Sequence, residues 1–175
     1  MRKAVPMLDN SLTTAEFLDL IPSAFQSVVF GTIANGRPYT NVADIELCLD
    51  GKLYFATTYQ KSFYQRLHSL PYVSITALKG EETMSSVGFT LNGTVKEVDL
   101  SYLDKIYDQH PEMLEINKTD SERRELLRPF EITPTDGFVY DLRQTCGKLR
   151  FSKRPSPSKS MQKATETKSC FDRFF

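Results

Sequence analysis

The chain has 175 residues, enough for one domain with a substantial hydrophobic core. Apolar residues make up 40% and charged residues 25%, a balance typical of globular proteins that excludes a disordered chain or a membrane bundle. The 22 basic and 22 acidic side chains cancel, so the overall charge predicts neither nucleic acid nor an anionic membrane as a partner.

The cysteines indicate a reducing compartment. Cys48, Cys146 and Cys170 are odd in number and widely spaced, which suits neither a secreted disulfide framework nor a zinc site with paired ligands. Residues 1–10 contain no apolar run typical of a signal peptide, and no segment reaches the ~20 apolar residues of a membrane span. We therefore expect a cytoplasmic protein without a metal site.

The first third of the chain predicts a helix followed by a β-meander. Thr13 and Glu16 form a capping box before a helix that runs to Pro22. Strands are then predicted at 28–34, 37–49 and 53–57. They are joined at Asn35-Gly36 and Asp50-Gly51, which are strong two-residue hairpin signals.

The remainder predicts further strands with helices only in the connections. A helix at 61–70 precedes strands at 72–78 and 89–98, which are separated by a polar loop at 79–86. Gly93 is expected to mark a bulge or a tight bend in the second of these strands. Ser101 and Asp104 are expected to cap a helix over 102–109, and Ser121 a helix that stops near Arg128. The last strands are expected at 138–142 and 149–151. The pattern predicts a mainly β fold, a six- to seven-stranded antiparallel barrel with peripheral helices.

The end of the chain differs in composition from the rest. Residues 152–175 are rich in Ser and Lys, and such a segment buries too little apolar surface to offset its ordering entropy. We expect one domain at 1–151 and a flexible basic tail at 152–175.

A turn between the third strand and the second helix carries the clearest chemical signal. Thr57 and Thr58 end the strand, and Lys61 and Ser62 open the helix. Two hydroxyls, a cation and the free N–H groups of a helix N-terminus are what a phosphate monoester binds. The same residues also suit ordinary strand positions, a solvated lysine and a serine cap.

The order of several short motifs resembles the pyridoxamine 5′-phosphate oxidase-like family of FMN-binding split β-barrels, in particular a small bacterial subgroup. The resemblance covers residues 17–142. The motifs are Gly36-Arg37-Pro38, Tyr39-Thr40-Asn41-Val42, Leu53-Tyr54-Phe55-Ala56-Thr57-Thr58, Lys61-Ser62, Leu67, Pro71-Tyr72-Val73-Ser74, Leu91-Asn92-Gly93-Thr94-Val95 and the stretch 130–137.

The resemblance implies an FMN site and a homodimer. In this family each FMN lies between two subunits, with the flavin ring along one strand. Here that strand is 41–46, and its cofactor-binding candidates are Asn41, Val42, Ala43 and Asp44. The FMN phosphate would be held by Thr57, Thr58, Lys61 and Ser62.

Two departures separate the chain from the vitamin B6 oxidases of that family. Asn41 stands where those enzymes carry an Arg on the ring-lining strand, and only Lys61-Ser62 stands where they present an Arg-Lys pair. The C-terminal substrate-binding segment of those oxidases is also missing. We therefore do not expect a pyridoxal phosphate-forming oxidase.

The resulting hypothesis is an FMN-dependent oxidoreductase that passes electrons between NADH or NADPH and a small organic acceptor. The alternatives are a non-catalytic flavin-binding or electron-carrier protein, a cofactor-free binding module, or a haem protein ligated through His68 or His110. No catalytic residue is assigned, and Tyr59 and His68 are the candidates should the reaction use a general acid or base. Cys48 is expected to be a buried strand residue.

Overall fold

The computed structural model describes residues 4–7, 12–113, 115, 121–143 and 147–152, with only the backbone described at 121–123 and 147–152. Its helices include α1 (Thr14–Leu20), α2 (Ser62–Ser69), α3 (Ser101–Gln109) and α4 (Ser121–Leu126). A π-helical turn at Ile21–Phe25 follows α1, and a 3₁₀ turn lies at Thr83–Ser85. The strands are β1 (Ser27–Ala34), β2 (Arg37–Asp44), β3 (Leu47–Leu49), β4 (Lys52–Thr58), β5 (Tyr72–Lys79), β6 (Val87–Glu97), β7 (Leu127–Asp141) and β8 (Gly147–Ser152).

The strands form one antiparallel sheet whose two end strands are consecutive in the chain. Seven of them follow the order β2-β1-β5-β6-β7-β4-β3, and β8 pairs with β7 beside this path. β2 and β3, at opposite ends of the order, are joined only by Ile45 and Glu46. Ile45 N donates to Gln26 O, at the start of β1, and Glu46 N donates to Tyr54 O on β4, both at 2.8 Å. The chain therefore changes partner within two residues and closes the barrel, because consecutive N–H groups of an extended chain point in opposite directions.

Aromatic rings fill the barrel. Two groups of phenylalanines pack with ring centroids 4.7 to 6.1 Å apart, and such pairs add to the free energy gained from burying their area. One group joins α1 to the sheet, and the other joins α2 to the sheet. The first consists of Phe17, Phe25 and Phe89, and the second of Phe30, Phe55, Phe63 and Phe130.

Both predicted hairpin turns are confirmed. Asn35 and Gly36 have φ of 51° and 70°, and Asp50 and Gly51 have the same values. A type I′ turn needs positive φ at both central residues, which Asn, Asp and Gly tolerate at low cost. These two turns fix the register of the first four strands.

The predicted bulge at Gly93 and the predicted start of α1 are also confirmed. The pairing of β6 with β7 shifts register between Asn92 and Gly93. A Cβ on Gly93 would lie 2.8 Å from the carbonyl oxygen of Thr133, so this close approach requires glycine. Thr13 and Glu16 form the reciprocal hydrogen bonds of the capping box.

Two predicted strands were wrong in extent. The strand predicted at 37–49 is two strands, because the chain changes partner at Ile45 and Glu46. The strand predicted at 138–142 is the end of β7, which starts at Leu127 directly after α4. β7 contains Pro129 and Pro134. Because proline within a segment argues against a central strand, the sequence did not predict the first part of β7.

The predicted cap of α3 was wrong as well. Asp99 Oδ1 accepts a hydrogen bond from Ser101 N at 2.9 Å. The side chain that binds a backbone N–H group at the start of this helix is therefore that of Asp99, and not that of Ser101 or Asp104. Cys146, Cys170 and the predicted tail beyond Ser152 lie outside the described residues. The domain boundary at residue 151 stays a prediction.

The barrel junction contains a buried carboxyl. Glu46 is 7% exposed, and its Oε2 has no hydrogen-bond partner among the described residues. His110 Nε2 lies 2.9 Å from the Glu46 carbonyl oxygen and 3.5 Å from Oε2, while His110 Nδ1 lies 3.2 Å from Glu112 Oε1. Burial raises the pKa of Glu46 from 4.5 to about 7, against the lowering effect of His110, and Asp44 and Glu112 raise it further. Burial disfavours the charged imidazole, but hydrogen bonds to Glu46 and Glu112 outweigh it and raise the pKa of His110.

Glu46→Gln is expected to flatten the pH dependence of stability. Because the folded-state pKa of Glu46 exceeds its unfolded value, its favourable contribution is complete below pH 4.5 and is lost as the pH rises to about 7. Between pH 5 and 8 the wild type should lose about 1–3 kcal/mol more unfolding free energy than the variant, measured by urea denaturation. The exposed Glu81→Gln is the control and should follow the wild type; equal losses in wild type and Glu46→Gln would contradict the prediction.

Candidate functional site

The predicted ring-lining strand lies at an open edge of the sheet. Asn41, Val42, Ala43 and Asp44 are consecutive residues of β2, which is paired with β1 on one side and ends the strand order on the other. Val42 is 73% exposed. Asp44 is held at the end of the strand, since its carboxylate accepts from Ser27 Oγ at 2.6 Å. The open edge offers backbone N–H and C=O groups to a planar polar ligand.

The predicted phosphate turn connects β4 to α2. Thr57 is buried and Thr58 half-buried at the end of β4, whereas Lys61 and Ser62 are exposed. Lys61 N donates to Thr58 O at 3.1 Å, and Lys61 is the N-cap of α2 with extended backbone. No side chain caps this helix, so its first N–H groups remain available to an anion.

Sequence reasoning missed Arg66, the residue that joins these two segments. Arg66 lies on α2 and is 9% exposed. Its Nε donates to Thr32 Oγ1 at 3.0 Å, one terminal nitrogen donates to Ser62 Oγ at 3.2 Å, and the other donates to Asn41 Oδ1. The guanidinium carbon lies 4.7 Å from the ring centroid of Tyr39.

Arg66 changes the charge expected at the site. Lys61 and Ser62 were the only groups assigned to the phosphate at the helix, and the structure adds a buried guanidinium beside Ser62. The spacing of Ser62 and Arg66, four residues apart on a helix, puts them on one face and was the available signal. Their approach to Asn41 is tertiary and has no signature in the sequence.

The structure therefore brings only some of the predicted site residues together. Arg66 brings Asn41 and Ser62 into one hydrogen-bonded group, with Lys61 next to it in the chain. Val42 is directed to solvent. Thr57 is enclosed in the sheet opposite Arg128 of β7.

The general-acid candidates have structural partners. His68 Nε2 lies 2.8 Å from Glu97 Oε2, and Tyr64 donates its hydroxyl to the same oxygen at 2.7 Å. The pKa of Tyr64 is raised by this hydrogen bond to Glu97. The ring of Tyr59 lies under the guanidinium of Arg128, 4.9 Å from centroid to carbon.

Cys48 is a half-buried thiol of β3 and forms no disulfide. Burial raises the pKa of Cys48 to about 12. The nucleophilic thiolate is therefore scarce at neutral pH, and redox chemistry at this residue is disfavoured.

A groove of about 750 Å³ lies on the outer face of the sheet, apart from the predicted site residues. Its floor is the row Gly31, Ser74, Asn92 and Asp136, which the strand register places side by side. Asn92 Nδ2 donates to Asp136 Oδ1 at 2.8 Å. Apolar side chains form the other wall: Ile33, Pro38, Leu70 and Tyr72. Thr32 borders the groove and accepts from Arg66, so the groove and the Arg66 group are adjacent.

Comparisons with known proteins identify the fold. No family model matches the sequence, and no curated protein matches it. A heme binding protein from Mycobacterium smegmatis superposes with a TM-score of 0.63 at 14% identity, over 81% of this chain and 58% of that chain. General stress protein 26 from Bacillus anthracis superposes with a TM-score of 0.57 at 19% identity, over 80% of this chain and 100% of that chain. A pyridoxamine 5′-phosphate oxidase-like protein from Listeria innocua superposes with a TM-score of 0.54 at 18% identity, over 71% of this chain and 96% of that chain.

These likenesses confirm the predicted fold, a mainly β, antiparallel split barrel with peripheral helices. In the described part of the chain, none of the helices combines the length and the apolar character that crossing a membrane requires.

Thr32→Val is expected to destabilise the protein by about 1–3 kcal/mol, because valine keeps the shape of threonine but leaves Arg66 Nε without an acceptor. The free energy of unfolding in urea measures this loss, and it should shrink when Arg66 is already replaced by methionine. Thr40→Val, on the exposed side of β2, is the matched control and should change stability by less than about 0.5 kcal/mol. Equal effects of the two valine substitutions would show that the Thr32–Arg66 contact does not stabilise the fold.

Proposed function

We propose that this protein binds FMN and passes electrons between a nicotinamide donor and a small organic acceptor. The observation that carries the proposal is the hydrogen-bonded group of Asn41, Ser62 and Arg66, which joins an open strand edge to an uncapped helix N-terminus. A flavin ring with a polar edge suits the strand, and a phosphate suits the helix end and its cations. The split-barrel fold and the motif order of the sequence support the same assignment.

The residues that would hold the cofactor follow from their positions. Backbone groups of 41–44 would bind the polar edge of the ring, and the N-terminus of α2 with Lys61 and Ser62 would bind the phosphate. Bound FMN would supply the hydride and electron chemistry, while the protein orients the cofactor and excludes water. Such transfer needs no general acid, which agrees with His68 being engaged by Glu97.

Haem is the alternative cofactor, suggested by the haem-binding neighbour. The contacts of the two histidines favour flavin. Both ring nitrogens of His110 face Glu46 and Glu112, and its side chain is 17% exposed. His68 is paired with Glu97. Neither offers a disengaged imidazole for an axial bond to iron.

A homodimer is part of the proposal, supported by an apolar outer face. The strand register places Val42, Val29, Thr76, Thr90 and Phe138 in one row across β2, β1, β5, β6 and β7. The apolar members of this row are 38% to 73% exposed. Exposed apolar patches of this kind mark interaction surfaces. The row includes a residue of the ring-lining strand, so a second copy here would enclose the cofactor.

A cytoplasmic location completes the proposal. Cys48 carries a free thiol, which agrees with a reducing compartment. The balanced charge gives no support to nucleic acid or a membrane surface as a partner.

The purified protein is expected to take up about one FMN per chain, and Lys61→Ala should weaken FMN binding by about 3- to 10-fold because an exposed cation near the phosphate is lost. Flavin fluorescence quenching gives the affinity. Lys105→Ala removes a lysine from α3 instead and should leave the affinity unchanged.

The absorbance spectrum distinguishes flavin from haem, and the reductant that acts on the bound flavin distinguishes an enzyme from an electron carrier. Rapid reduction of bound flavin by NADH or NADPH supports the enzyme, and reduction by dithionite alone supports the electron carrier. A haem spectrum, or no uptake at micromolar FMN, would contradict the cofactor assignment.

Val42→Glu is expected to convert the dimer to a monomer at micromolar concentration, because burying a carboxylate in an apolar interface is unfavourable. Sedimentation velocity measures the change. Leu100→Glu, a matched substitution of a 51% exposed residue at the start of α3, should leave the dimer intact. A wild-type monomer, or dissociation by both substitutions, would contradict an interface at β2.

A further inference from the structure

Arg66 is a buried cation without a counter-charge in the described part of the chain. It is 9% exposed, and its three oxygen partners belong to Thr32, Ser62 and Asn41, all of them neutral. Among the described residues, no carboxylate oxygen lies within 4.0 Å of its nitrogens. Hydroxyl and amide oxygens replace part of the lost hydration but supply no negative charge. An arginine keeps its positive charge at any physiological pH, and a bound anion would supply the counter-charge that these neutral partners lack.

The guanidinium still has donors for such an anion. Arginine carries five N–H groups, and three are used by these contacts. One N–H therefore remains on each terminal nitrogen. These two nitrogens already reach Ser62, in the first turn of α2, and Asn41, on the open strand. Guanidinium N–H groups are strong, charge-assisted donors to the oxygens of a phosphate.

We infer that Arg66 is the principal phosphate-binding residue of this chain and makes the site selective for a phosphorylated flavin. The inference deepens the proposed FMN function and rests on it. Lys61 is exposed and supplies a screened charge, whereas Arg66 acts from a buried position in which its interaction with a dianion is stronger. The ligand class is a phosphate monoester whose organic part lies along β2.

The competing explanation is that Arg66 only ties α2 to the β1–β2 hairpin. Its contacts with Thr32 and Tyr39 would serve that purpose. The two explanations predict different effects of Arg66 on the binding of a flavin that lacks the phosphate. A purely structural arginine affects FMN and riboflavin equally, whereas a phosphate-binding arginine affects FMN alone.

The experiment measures FMN and riboflavin affinities of the full chain by fluorescence quenching. Arg66→Gln should weaken FMN binding by about 10- to 100-fold and leave riboflavin binding unchanged. Arg66→Lys should lie between wild type and Arg66→Gln, because it keeps the charge and loses the paired donors. Arg124→Gln removes an exposed arginine of α4 and serves as the matched control.

A charge relocation tests the position of the cation. Asn41 Oδ1 accepts directly from the guanidinium, so an arginine at position 41 would reach the same space from the strand. Asn41→Arg combined with Arg66→Gln should restore much of the preference for FMN over riboflavin. Equal weakening of both ligands by Arg66→Gln, or undiminished FMN binding, would overturn the inference.

Inorganic phosphate separates this inference from the proposed function. Phosphate should raise the thermal unfolding midpoint of the wild type and of Arg124→Gln but not of Arg66→Gln. If Arg66→Gln does not fold, Arg66→Lys replaces it, and phosphate should compete with FMN but not with riboflavin in the wild type. A wild type that binds no flavin but shows an Arg66-dependent phosphate effect would contradict the FMN assignment and retain the anion site. No phosphate effect and no preference for FMN would reject the inference itself.

Discussion

The change of strand partner at Ile45 and Glu46 determines the rest of the structure. One residue donates its N–H group toward the start of β1 and the next toward β4, so a single chain segment belongs to both ends of the sheet. The barrel closes there, and β2 leaves the junction with one edge that no strand covers. α2 is packed onto the sheet by Phe63, which contacts Phe30 of β1 and Phe55 of β4. The strand half of the candidate site therefore follows from the junction, and the helix half from the packing of Phe63.

Local signals in the sequence predicted the local parts of this fold. The hairpins at Asn35-Gly36 and Asp50-Gly51 were predictable because positive φ is a property of those residues themselves. The partner change at Ile45 was not predictable, because its cause is the position of β4 and it requires no special residue. β7 was predicted too short because two prolines argue against a central strand. Pro134 is tolerated because it lies opposite Gly93, where the register already shifts.

The candidate site shows the same division between local and tertiary information. Lys61 and Ser62 were found from composition and spacing, since a lysine and a serine at a strand-to-helix turn form a local pattern. Asn41 and its neighbours came from the order of motifs along the chain. Arg66 resembled any other cation of an amphipathic helix, and its burial depends on the approach of the β1–β2 hairpin. Residues whose role depends on tertiary contacts are the ones that a single sequence does not reveal.

Within the described ranges, Glu46 and Arg66 are both buried ionisable groups that lack a full set of partners, and the chemistry available to each is different. A carboxyl can lose its charge by taking a proton, and burial moves the pKa of Glu46 to about 7, close to neutrality. A guanidinium cannot become neutral in this way, because it keeps its proton in proteins. A bound anion would supply its counter-charge, and such a ligand would also stabilise the fold by mass action. The permanent charge of Arg66 is therefore the stronger indication of a ligand site, and the carboxyl at the barrel junction is a matter of stability.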